Sequence, residues 1–114
     1  MIRGTTPQHN FTLPFDLPDG SIVRVCYAQG EDYKEQILFE RTTESCKING
    51  NVVQVKLTAE ETRMFDCSPC WVGGKYIAKP VKIQVGVKTP GGEILWSQII
   101  ETTVERCIRE DGVV

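Results

Sequence analysis

The chain has 114 residues, 40% of them hydrophobic and 25% charged, which suits one globular domain with a single core. Thirteen Lys and Arg against fifteen Asp and Glu leave a formal charge of -2, which excludes the clustered basic surface that nucleic-acid binding asks for. No run approaches the ~20 apolar residues of a membrane helix, and residues 1–7 lack the apolar stretch of a signal peptide, so synthesis in a reducing cytoplasm is expected.

In chain order, a polar, turn-rich arm over residues 1–8, expected to be ordered only in an assembly, leads into Phe11, Leu13 and Phe15, which alternate with Thr12 and Pro14. Pro14 has no amide hydrogen to give a ladder, so this first strand belongs at a sheet edge or a bulge. Leu17-Pro18-Asp19-Gly20 reads as a turn, with Pro presetting φ and Gly supplying a positive one. The second strand, Ser21 to Ala28, sets Val23, Val25 and Tyr27 on one face and Ile22, Arg24 and Cys26 on the other. After a turn at 29–32 comes a third strand at about Lys34 to Arg41. Ile48-Asn49-Gly50-Asn51-Val52 is a hairpin signal that pairs Cys46-Lys47-Ile48 with Val52 to Leu57.

The period then changes. Thr58 and Glu61 have the spacing of a capping box, so a helix of two turns or fewer is expected to end near Phe65, with Met64 and Phe65 folding back into the core. Residues 66–80 read as one long irregular loop. Val81 to Thr89 alternates strictly, a Pro90-Gly91-Gly92-Glu93 loop follows, and a last strand runs from Ile94 to about Val104 before a charged, fraying tail at 107–114. Six to seven short strands with one short helix point to an all-β fold, an antiparallel immunoglobulin-like sandwich, with a partly open barrel as the alternative.

The five cysteines (Cys26, Cys46, Cys67, Cys70 and Cys107) are odd in number, so they cannot all pair within the chain. Cys67-Ser68-Pro69-Cys70 is the strongest chemical lead, because two thiols at this spacing can hold half of a zinc site or form a redox pair. A structural zinc needs two further ligands, and a redox pair belongs at a helix start after a buried strand. Neither context is supplied, and two incidental loop thiols are the simpler reading. His9, the only histidine, excludes a multi-histidine metal site within one chain and is expected at the exposed start of the first strand. Glu31, Asp32 and Glu35 lack the alternating ligands and glycine of a calcium loop, and Glu60 and Glu61 serve the helix start. No cofactor and no catalytic residue is expected. Trp71 and Tyr76, in the long loop, are the candidate partner-binding residues; Trp96 either joins them or packs in the core.

Several stretches carry a resemblance. Arg3-Gly4-Thr5-Thr6-Pro7 precedes Phe11-Thr12-Leu13-Pro14-Phe15-Asp16, followed by Val23-Arg24-Val25-Cys26-Tyr27-Ala28-Gln29, Leu57-Thr58-Ala59-Glu60-Glu61-Thr62 and Val81-Lys82-Ile83-Gln84-Val85. Together these resemble short structural proteins encoded in phages and prophages of Gram-positive (Firmicutes) gut bacteria, and the sandwich modules of phage tails and baseplates. The likeness spans nearly the whole chain except Cys67 to Lys79, which looks like an insertion. It implies a non-enzymatic structural or assembly accessory protein, made in the host cytoplasm and acting in the virion or in its assembly. It further implies contact with other phage structural proteins or with itself, through an exposed edge strand. The alternatives are a metal or redox module at Cys67 and Cys70, and a carbohydrate-binding sandwich.

Overall fold

The computed structural model describes residues 1–68, 70–77 and 79–109, with all side chains among them except those of Cys70, Trp71, Val72 and Tyr76. Its strands are β1 (Gln8–Thr12), β2 (Ile22–Gln29), β3 (Gln36–Thr42), β4 (Lys47–Asn49), β5 (Val52–Lys56), β6 (Cys70–Val72), β7 (Lys75–Ile77), β8 (Pro80–Lys88), β9 (Ile94–Trp96) and β10 (Ile100–Thr103). A 3₁₀ turn at Thr43–Ser45 and one helix, α1 (Ala59–Arg63), complete the set. One layer is a three-stranded sheet in the order β1-β5-β4. The other is five-stranded, β10-β8-β2-β3, with β9 also paired to β8. Every named pairing is antiparallel. The fold is the expected all-β sandwich, richer in strands than the sequence suggested.

Alternation builds the core. Val23, Val25 and Tyr27 of β2 and Val81, Ile83, Val85 and Val87 of β8 pack against Phe11, Val53, Val55 and Leu57 from the smaller sheet. Asn49 and Val52 close the β4–β5 hairpin around Gly50 and Asn51, and Gly50 carries the positive φ of 61° that the turn requires. At the helix, the Glu61 amide donates to the Thr58 hydroxyl while the Glu61 carboxylate accepts from the Thr58 amide, the reciprocal cap expected from the spacing.

Four expectations are corrected. Residues 66–80 are not wholly irregular: β6 and β7 form a hairpin across Gly73 and Gly74, whose φ values of 57° and 79° match a two-glycine turn. The last strand is split, because residues 97–99 interrupt the ladder; there the Ser97 hydroxyl accepts from the Val85 amide at 2.9 Å in place of a backbone carbonyl. Phe65 enters the core, but Met64 turns outward and is 56% exposed. The N-terminal arm is docked rather than waiting for an assembly. Ile2 bridges Glu105 in parallel, the Arg3 guanidinium donates to the carbonyls of Arg63 and Phe65, and the Gly4 amide donates to the Thr62 hydroxyl.

One flank of the sandwich is closed by Arg41. It pairs with Val25 on the inner face, and its guanidinium donates to both Glu61 carboxylate oxygens and to the carbonyls of Ser45 and Lys56. Burial pushes the Glu61 carboxyl up, yet the Arg41 hydrogen bonds and the Thr58 amide outweigh it and hold the group below the usual range.

Candidate protein-interaction face

The sequence-predicted site residues Cys67, Cys70, Trp71 and Tyr76 lie in or just before the β6–β7 hairpin. Cys67 is half-buried against the core; Cys70 opens β6, and its side chain lies outside the described residues. Trp71 and Tyr76 are register partners across the β6–β7 hairpin, their side chains also outside the described residues. Cys26, Cys46 and Cys67 carry free thiols, the Cys107 thiol donates to the Arg109 carbonyl, and among the described residues no three His, Cys, Asp or Glu side chains gather as a metal site.

His9 is half-buried rather than exposed, its Nδ1 2.9 Å from the Tyr27 hydroxyl and its ring stacked on Tyr27, and burial lowers its pKa. It lines a groove of about 360 Å³ between the β1 and β10 edges, together with Ser97. That pair is not a nucleophile and its base. The Ser97 hydroxyl donates to the Gln98 carbonyl and accepts from the Val85 amide, and His9 is already engaged by Tyr27.

The acidic residues of the β2–β3 loop have a different task from metal binding. Asp32 and Glu35 accept from the Lys82 ammonium at 2.6 and 3.0 Å, which satisfies a lysine whose side chain is only 6% exposed. The hydrogen bond to Asp32, chiefly, raises the Lys82 pKa. The loop that brings these carboxylates over the sheet is tight. A Cβ on Gly30 would lie 2.9 Å from the Lys34 carbonyl, and Tyr33 sits at φ 66°, an uncommon setting for a bulky residue, with its ring fully exposed.

What the fold does assemble is the outer face of the five-stranded sheet. Register places its outward side chains in four rows. At one end Ile94, Lys88 and Ile22 stand abreast, and next come Trp96, Gly86, Arg24 and Thr42. Then follow Gln84, Cys26 and Glu40, and finally Glu101, Lys82, Ala28 and Ile37. Ile99, from the break between β9 and β10, shares a hollow of about 210 Å³ with Cys26, Ala28, Ile37, Gln84 and Trp96. Ile22, Ile37, Ile94, Trp96 and Ile99 are each more than half exposed. Of the two places expected for Trp96, the core is excluded. Its indole lies across Gly86, where an added Cβ would meet three ring carbons at 2.5–2.7 Å.

The chemistry of this face suits contact more than reaction. Burial, then the neighbouring Glu40 carboxylate, pushes the Cys26 thiol up, so it stays protonated and points its weak donor at Glu40, 3.8 Å away. Arg24 and Glu40 pair at 2.9 Å beside it. A signal for the face was present in the sequence: Ile22 and Cys26 lie on the side of β2 opposite Val23, Val25 and Tyr27, so both faces of that strand carry apolar residues. No protein-family model and no curated protein sequence matches the chain.

Proposed function

We propose that this chain is a non-enzymatic structural or assembly accessory protein of a phage or prophage, and that it acts through protein–protein contacts made by the outer face of its five-stranded sheet. The observation that carries the contact reading is the set of five large apolar side chains, each more than half exposed, on one face. Scattered exposed hydrophobics are ordinary, whereas a contiguous group on a rigid sheet, centred on an aromatic and rimmed by charge, is what an interface presents. The phage setting rests on the sequence resemblance. A carbohydrate platform would also use a flat indole, but sugar hydroxyls need donors and acceptors around the ring. Here Trp96 shares its hollows with four exposed isoleucines, Ile22, Ile37, Ile94 and Ile99, and the polar neighbours Arg24, Glu35 and Lys82 are paired within the chain, which favours an apolar protein surface.

The test is particle association. Particles purified from a producing culture, with the wild-type gene or an Ile22→Lys/Ile94→Lys variant in its place, are analysed for the chain by quantitative mass spectrometry. Wild-type protein is expected to co-purify and the folded variant to be lost. Equal recovery of the two, or absence of both from particles and their precursors, overturns the reading.

A further inference from the structure

We infer that the partner seated on this face is a second copy of the chain, stacked face to face about a two-fold axis that runs across the strands. This rests on reading the outer face as a docking surface, and it adds what docks there.

Two observations select a self-complementary partner. The first is the charge order along the strands. The end with Ile94 and Ile22 carries Lys88, while Arg24 in the next row is paired with Glu40. The opposite end carries Glu101, together with Asp32 and Glu35, which more than neutralise Lys82. A two-fold axis across the strands lays the cationic end of one copy over the acidic end of the other, twice, as an isologous interface demands. The second is relief. The same operation sets Ile22 of each copy over Ala28 of the other, a large side chain above a small one, and Lys88 over a Lys82 already neutralised by Asp32 and Glu35, with Trp96 over the neighbourhood of Ile99. Strand sets laid in the same sense would instead bring like charges together end to end.

Area places this contact at the weak end of specific association. Four rows at two residues per row span about 20 Å along the strands, and four strand positions about 15 Å across them. That is a footprint of about 300 Å² in plan, before the upright isoleucine and indole side chains are counted, against about 600 Å² of accessible surface per partner in the smallest specific interfaces. A dimer governed by concentration in the micromolar range is the expected outcome.

The competing route, pairing through sheet edges, is blunted at β3, β4, β9 and β10, which leaves β1 as the one regular edge of five residues among the described strands. β3 carries a register shift opposite Tyr27 and Ala28 and directs the charged Arg41 inward; β4 and β9 are three residues long; β10 has four.

Sedimentation equilibrium on the full chain at about 1 to 200 µM tests the inference. The mass should rise from 12.8 kDa toward twice that value. Lys88→Glu and Glu101→Lys should each weaken dimerisation about tenfold, and the two together should restore it to within a few-fold of wild type, because each copy then presents the reversed order. Ile22→Lys should leave a monomer, with Ile94→Lys as the substitute should the first variant lose its circular dichroism spectrum. Wild-type protein that stays monomeric throughout overturns the inference, and so does a dimer indifferent to these changes. A monomer that nonetheless needs Ile22 and Ile94 for particle association overturns the second copy while leaving the docking role intact. A dimer that obeys the charge swap, with both genes recovered equally in particles, does the reverse.

Discussion

The two faces of the five-stranded sheet are built on the same strands from residues one position apart, and they behave differently. Inward, Val23, Val25, Val81 and Val85 are closed off by Phe11, Val53, Val55 and Leu57 from the second layer, with at most 1% exposure in the four valines. Outward, Ile22, Ile37, Ile94 and Trp96 are of similar hydrophobicity but have no second layer. Alternation thus marks which residues share a face, and it does not by itself say that one face is wet. On the outer face the polar members are tied down: Lys82 by Asp32 and Glu35, Arg24 by Glu40. Trp96 then joins the apolar end at Ile22 and Ile94 to the hollow lined by Ile37 and Ile99.

This contrast can be broken at several strengths. The largest effect belongs to the covered face. Ile83→Ala removes buried volume from the centre of the sandwich and should cost about 2–5 kcal/mol in urea unfolding, whereas Ile37→Ala on the outer face should change stability by about 0.5 kcal/mol or less. Equal costs would show that the outer isoleucines are already covered within one chain.

Arg41 tests the flank of the inner face. Arg41→Ala strips the partner from a Glu61 carboxylate that also caps α1, and should cost about 2 kcal/mol. Glu61→Gln keeps the cap's acceptor and should cost less; the opposite order would make the cap, not the ion pair, the reason for Glu61.

Gly86 sharpens the reading of Trp96. Gly86→Ala pushes the indole off the sheet, which should cost about 1 kcal/mol or less, because an exposed ring can move, and should shift tryptophan emission to the red in a Trp71→Phe background. Unchanged emission would mean the ring does not rest on Gly86.

The smallest effect is that of pH on the inner face. His9 has a lowered pKa in the folded state, so the unfolded chain binds more protons once the pH falls through about 6.5. The thermal midpoint should therefore drop between pH 7 and pH 5, and His9→Gln should flatten that segment. Asp66, held well below the usual carboxylate range by Lys79 and by Ser68, adds a loss of the same sign only at lower pH, as its carboxylate is protonated.

Much of this protein follows from local rules. The β2 and β8 alternation, the Gly50 hairpin and the Thr58–Glu61 cap each depend on residues within a few positions of one another, so the chain alone determined them, and with them an antiparallel sandwich. Gly73-Gly74 carries the same kind of turn signal, but the run around it lacks the long apolar alternation that marks strands. The rest was set at long range. Lys82 meets Asp32 and Glu35 across about fifty positions, Arg3 reaches Arg63 across sixty, and Trp96 settles on Gly86 because that residue has no side chain to hold it off. The outward fate of Trp96 and of the isoleucines was likewise decided by tertiary structure. Period-two patterning puts residues on a common face, but only the number of layers decides whether that face is covered, and here the smaller sheet covers one side of the larger.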